Sequence, residues 1–132
     1  MSRLQPATIE DVHALCSLET DLFPDNCFNE TTLSNELVQG RGWVYQKSGK
    51  IVGYIIVQSD GLLEDIIRLG VDRNHWGTGI GTKLLRKALD EKSLPAILTV
   101  TEDNKRALRL YLRNGFRVVG KLPEGAWVLQ HD

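Results

Sequence analysis

No apolar run in this chain approaches the roughly 20 residues that a membrane-crossing helix needs. The N-terminal stretch MSRLQPATIEDV also lacks a hydrophobic signal core. Both absences lead to the expectation of a chain that starts at or near Met1 and works in the cytoplasm, away from membranes. Cysteine is almost missing. Cys16 and Cys27 are the only two, which supports neither a disulfide framework nor a metal site, so no metal is expected. Cys16 falls in a helical apolar pattern and reads as a small buried hydrophobe. No surplus of one charge is present either: 16 basic and 17 acidic side chains leave a net charge of −1. Bulk electrostatics therefore give no reason to expect a nucleic acid partner. There is no repeat, low-complexity tract or Pro/Ser-rich linker, so residues 1–132 read as a single domain. The 42% hydrophobic and 25% charged composition is that of a globular protein able to bury a core.

The remaining pattern is that of an α/β chain. RLQPAT reads as an edge strand, because its proline cannot donate in a central one. Thr8 caps a first helix, with Asp11 at the capping-box position and Ile9, Val12, Leu15, Cys16 and Leu18 as its apolar stripe. A second helix follows through ETTLSNELVQ and ends at Gly40. GWVYQKSGKIVGYIIVQ is a hairpin turning at Gly49, and LLEDIIRLGV is a strand near the sheet centre. TKLLRKALDEKS places Leu84, Leu85, Ala88 and Leu89 on one helical face. AILTVT is a strand. NKRALRLYLRNGF is a helix with Asn104 as N-cap and Gly115 just past its end, and FRVVG and AWVLQ form a closing hairpin. The order β-α-α-β-β-β-α-β-α-β-β predicts a mixed, mostly antiparallel sheet with helices on both faces.

The stretch DRNHWGTGIGTKLLRKAL concentrates backbone freedom at Gly77, Gly79 and Gly81, between a strand and a helix. Glycine inside an element costs roughly 0.5–1 kcal/mol relative to alanine, so a cluster needs a reason. A strand entering a glycine-rich turn and then a helix makes an anion site, because the first helical N–H groups lack internal partners. A dinucleotide fingerprint fails, since its last glycine falls on Thr82, and no phosphate-loop lysine motif is present. By itself the turn is equally well explained as tight packing of a helix on a sheet.

Two motifs at the right separation resolve that choice. N-x-x-A-x-x-x-Y-x-x-x-G-F is complete in Asn104, Ala107, Tyr111, Gly115 and Phe116. The upstream turn is Trp76-Gly77-Thr78-Gly79-Ile80-Gly81. Together they resemble the GNAT superfamily of acyl-CoA-dependent N-acetyltransferases, over nearly the whole chain and in element order. The resemblance implies acetyl-CoA as co-substrate, with its diphosphate on the backbone from Trp76 through Thr82 and its pantetheine arm on the backbone of Leu69, Gly70 and Val71, where the strand splays from its neighbour beyond a bulge. Asn104 opens the second motif and joins this cofactor set. Where the family has arginine or glutamine opening the turn, this chain has Trp76. Either Arg73 compensates for the lost contact, or the indole stacks on the cofactor.

The implied reaction is direct attack of an amine on the thioester in a ternary complex. Tyr111 matches the family's general acid, a phenol that protonates the departing thiolate. The base is less defined. The glutamate found in one branch on the strand before the second motif is here Thr99. In another branch a glutamate precedes the pantetheine strand, and Asp65 matches it, with Glu64 beside it. Simple alternation puts Asp65 on the face of Ile67 and Leu69, and Glu64 on the face of Ile66 and Arg68. That favours Asp65 for the cleft, and an ion pair of Glu64 with Arg68 on a solvated face is an equal reading of Glu64. Histidine as a residue type can serve as a base near neutral pH, but His75 precedes the turn, far from the acetyl group.

Acceptor recognition in this family falls to the loop between the first two helices and to the final hairpin. ETDLFPDNCFNETTL resembles the ribosomal-protein acetyltransferase segment E-x-x-x-F-P. Its Glu19, Asp21, Asp25 and Glu30 make an acidic rim for a cationic amine, or merely a solvated loop. The short KLPEG loop suits a protruding peptide end or lysine better than an enclosed metabolite, unless a homodimer partner completes the wall. The expected function is acetyl transfer to a protein or peptide amine. The alternatives are a small-molecule amine acetyltransferase and a non-catalytic acyl-CoA-binding module.

Overall fold

The computed structural model describes residues 1–132. Strand β1 (Ser2–Pro6) lies at one edge of the sheet, where its proline costs no ladder bond. Thr8 and Asp11 form the expected capping box, but they open a 3-10 turn over Ile9–Asp11. The α1 helix begins only at Val12 and runs to Leu22, so Ile9 stays exposed instead of joining the apolar stripe. Helix α2 spans Glu30–Gln39, capped by the Asn29 side chain on the Thr32 N–H. Strands β2 (Arg41–Lys47) and β3 (Lys50–Ser59) make the hairpin. Its turn residues Ser48 and Gly49 both have positive φ, 54° and 79°, the geometry that matches the twist of a two-residue hairpin loop.

Strand β4 (Glu64–Val71) leads through a 3-10 turn at Arg73–His75 into α3 (Ile80–Glu91). Then come β5 (Ala96–Thr101), α4 (Lys105–Arg113), β6 (Arg117–Leu122) and β7 (Ala126–His131). The single sheet runs β1-β2-β3-β4-β5-β7-β6, and only the β4–β5 pair is parallel. The expected mixed, mostly antiparallel α/β layout is therefore present.

Strand alternation divides the interior into two layers. Tyr45, Ile55, Val57 and Ile66 meet Ile80, Leu84, Leu85 and Ala88 of α3 on one face. Val44, Tyr54 and Ile56 meet Val12 and Leu15 of α1 and Leu33 of α2 on the other. Helices on both faces explain why β3 reads as a continuous apolar run from Tyr54 to Val57.

Candidate active site

The site begins with a defect in β4. Opposite β3 the register passes from Val57↔Ile66 to Ile56↔Arg68, so Ile67 is an extra, bulged residue. A bulge shifts every later side chain to the other face. Ile66 packs with the α3 layer, Ile67 with the α1 layer, and Leu69 and Val71 again with the α3 layer. The unbroken alternation expected from Asp65 through Ile67 to Leu69 does not exist. On its other edge β4 pairs with β5 only at Glu64↔Ala96 and Asp65↔Ile97. Beyond Asp65 the two strands part, and a cleft opens beside Leu69, Gly70 and Val71.

That cleft is the end of a cavity of about 670 Å³. Its walls include Leu22 and Phe23, the Leu69–Val71 backbone, the glycine turn and one face of α4. In the turn, Gly77 and Gly79 have φ of 80° and 87°, which L side chains rarely adopt. Gly81 differs. It lies within α3 without positive φ, so the expected need for backbone freedom at all three glycines holds at two. The first main-chain bond at the start of α3 runs from the Lys83 N–H to the Gly79 carbonyl (3.0 Å). The N–H groups from Gly77 through Thr82 donate to no group of the chain, and the helix dipole adds positive potential there. The Thr78 hydroxyl turns back to the His75 carbonyl (2.5 Å), and Thr78 alone of the predicted turn residues does not line the cavity.

Trp76 is half-exposed at the cavity wall, and its indole N–H donates to the Val71 carbonyl (2.7 Å). The Arg106 guanidinium lies 4.4 Å and that of Arg73 5.2 Å from its ring centroid. The indole thus ties the end of β4 to the turn and stacks two guanidinium groups. Arg109 and Arg113 line the same cavity, and no acidic side chain does. A chain of net charge −1 therefore carries a strongly positive pocket. Sequence reasoning missed this group. Its signal was the spacing of Arg106, Arg109 and Arg113 along one face of α4.

Asn104 caps α4 through the Ala107 N–H (3.2 Å) and also lines the cavity. At the other end Gly115, φ 92°, stops the helix, with the Phe116 N–H on the Tyr111 carbonyl (3.1 Å) and the Gly115 N–H on the Leu112 carbonyl (3.4 Å). This stop folds Phe116 edge-on against Tyr111, ring centroids 5.6 Å apart. Tyr111 is held inside the cavity wall, its hydroxyl bonded to nothing in the chain. Burial pushes its phenol up to about 12, so it stays a proton donor throughout the neutral range.

The carboxylates are arranged differently from expectation. Glu64 is buried, forms an ion pair with Arg41, and accepts the Ser93 N–H (3.0 Å). It holds the α3–β5 connection to β4, and no Glu64–Arg68 pair forms. Asp65 points to the opposite face and is exposed, at the vertex where β4 and β5 part. Although solvent reaches it, partial loss of hydration and then the charge of Asp60 raise its pKa. Neither carboxylate lines the cavity. Glu19, expected on an acidic rim, is wholly buried and bound to Tyr54 and Arg68. Asp21, Asp25 and Glu30 remain exposed around the loop.

A sequence model of the acetyltransferase (GNAT) family matches residues 10–116. The chain belongs to that family. It is 33% identical over 134 residues to the N-alpha-acetyltransferase RimI of Mycobacterium tuberculosis, covering 88% of this chain and 82% of that protein. The fold superposes on the ribosomal-protein-S18-alanine N-acetyltransferase of Escherichia coli with a TM-score of 0.88 at 19% identity, over 99% of this chain and 93% of the other. Arabidopsis thaliana Naa50, solved with the bisubstrate analogue CoA-Ac-MVNAL, gives 0.86 at 22% identity over 99% and 98%. The PaiA N-acetyltransferase of Thermoplasma acidophilum, solved with coenzyme A, gives 0.85 at 16% identity over 100% and 99%.

As a GNAT protein this chain is an N-acetyltransferase with acetyl-CoA as co-substrate. The chemistry of the cavity fits that donor. A coenzyme bearing several phosphates suits the free amides of the turn with Arg73 and Arg106 beside it. The parted strands and the buried Tyr111 phenol lie on the same cavity.

Proposed function

We propose that this GNAT enzyme acetylates the free α-amine at the N-terminus of a protein or peptide. The carrying observation is the absence of any carboxylate from the cavity walls. An amine attacks only when neutral. With a pKa of roughly 7.7–8.0, about a third of α-amines are neutral near pH 7.5, whereas deprotonating a lysine (pKa about 10.4) there costs about 4 kcal/mol. A cavity with no carboxylate on its walls suits the α-amine, whose proton needs only a water relay to a more distant group. A polyamine would want several carboxylates in its pocket, and Leu22 and Phe23 offer none.

In this scheme the Gly77–Thr82 amides, aided by Arg73 and Arg106, hold the diphosphate, and the backbone of Leu69, Gly70 and Val71 aligns the pantetheine arm and polarises the thioester carbonyl. The amine attacks directly in a ternary complex. Its nitrogen forms the new amide bond, the carbon–sulfur bond breaks, and Tyr111 supplies a proton to the sulfur. Glu64 is committed to Arg41 and Ser93, which leaves Asp65 to take the amine proton through water. The N-alpha-acetyltransferase relative and the neighbour solved with a peptide bisubstrate analogue support a peptide acceptor. The exposed acids Asp21, Asp25 and Glu30 attract its protonated form before binding. The test offers acetyl-CoA with a short alanine-initiated peptide, the same peptide Nα-blocked but carrying lysine, or spermidine. Acetylation of the first alone is expected, and faster turnover of either other acceptor overturns the assignment.

A further inference from the structure

The proposed acceptor reading leaves one buried group unexplained: a salt bridge placed against the cavity wall. Glu19 projects from α1 with no solvent exposure. Its Oε2 accepts the Tyr54 hydroxyl (2.5 Å) and the Arg68 Nε–H (2.8 Å). Its Oε1 accepts the Phe28 N–H (2.8 Å) and the Arg68 Nη2–H (3.1 Å). A carboxylate has about four acceptor sites, and these bonds fill them. Glu19 therefore cannot also serve as a base. Arg68 Nη2 donates further to the Asn26 carbonyl (2.9 Å), and the guanidinium lies between two rings, 4.1 Å from the Phe23 centroid and 4.2 Å from that of Phe28.

All of these loop contacts fall on the segment joining α1 to α2, which has little regular structure of its own. Phe23, stacked on the guanidinium, also lines the cavity, as Leu69 does. Arg68 itself leaves β4 beside the Ile67 bulge and immediately before Leu69. One side chain thereby joins the strand beside the thioester cleft to the wall beside the acceptor.

We infer that Arg68, locked by Glu19, is a positioning residue that shapes the α1–α2 segment into the acceptor wall. This rests on the acetyltransferase reading but adds a role that buried charge alone would not require. Planar geometry is what the role demands. Lysine would keep the charge but lose both the two-pronged bond and the stacking.

The experiment compares Arg68→Lys, Phe28→Leu and Tyr54→Phe with the wild-type chain. Arg68→Lys and Phe28→Leu are expected to raise KM for the alanine-initiated peptide about ten-fold or more, equivalent to about 1.4 kcal/mol. Their affinity for coenzyme A and their kcat should stay within about three-fold. Tyr54→Phe removes a bond to Glu19 without touching the segment, so it should lower the melting temperature and leave KM alone. A KM unchanged in the first two variants, or raised equally in Tyr54→Phe, overturns the inference. Amide hydrogen exchange keeps the test independent of acceptor identity. Exchange at Phe23–Phe28 should quicken in Arg68→Lys while α3 keeps its protection, and unchanged exchange there refutes the clamp even if no peptide is a substrate. Failure of the wild type to acetylate the peptide, with exchange changed as expected, would sink the peptide assignment alone.

Discussion

Replacing Gly79 and Gly81 separately by alanine should separate two kinds of glycine that look identical in GTGIG. Gly79 has φ 87°, and a Cβ built on it meets nothing within 4 Å. Its penalty in the free protein is therefore backbone strain alone, about 1–2 kcal/mol. Gly81 is helical, and its added Cβ would touch Leu110 Cδ2 and Val71 Cγ2 at 3.7 Å, an ordinary packing distance. Alanine there gains about 0.5–1 kcal/mol of helix propensity. The two variants should thus differ by about 1.5–3 kcal/mol. At 132 residues, 1 kcal/mol corresponds to roughly 3–5 °C, so melting temperatures should lie about 5–15 °C apart, with wild type between them. Circular dichroism melts without acetyl-CoA provide the measurement, and calorimetry with coenzyme A should then show weaker binding in Gly79→Ala. If Gly81→Ala destabilises as much as Gly79→Ala, the distinction between a left-handed turn residue and a helical one is wrong.

Tyr111→Phe should cut kcat by about 10²–10⁴ with little change in melting temperature at neutral pH, since its hydroxyl bonds to nothing in the chain. Because burial raises this phenol from 10 to about 12, its contribution to stability is complete below pH 10 and is lost as pH rises from 10 to 12. That loss amounts to about 3 kcal/mol, and Tyr111→Phe should abolish this part of the alkaline destabilisation in pH-dependent melts. Asp60→Asn should move the acid limb of kcat/KM to lower pH, since the charge of Asp60 helps to raise the pKa of Asp65, and Asp65→Asn should remove the limb. A limb indifferent to both changes would eliminate Asp65 as base. Arg41→Ala strands the Glu64 carboxylate in the interior with only the Ser93 N–H, and should cost about 2–4 kcal/mol in urea unfolding. Arg106→Ala should weaken coenzyme A binding several-fold and flatten its salt dependence, measured by titration calorimetry at two ionic strengths.

Local chemistry made several features legible. Asn104 caps α4 and Gly115 ends it because both act within one turn of their own positions, and that spacing brings Tyr111 to the cavity wall. The positive φ of Gly49, Gly77 and Gly79 follows from the same short-range logic. What failed to be legible depended on register or on distance. The family resemblance implies a bulge on this strand, but no propensity places it at Ile67, and that single extra residue reversed the facing expected along β4. The basic pocket was concealed by a net charge that averages over surfaces which never meet.

By itself, the amino-acid order determined which segments become helices and strands, where they stop, and which motif residues lie on one helical face. These depend on periodicity and on caps and turns whose partners lie a few residues away. Only the tertiary structure decided that Glu19 is an interior partner of Arg68, 49 positions along the chain, and that Glu64 belongs to Arg41. A carboxylate on a helix reads the same whether it meets water or a guanidinium, and burying it is tolerable only where a distant strand delivers the opposite charge.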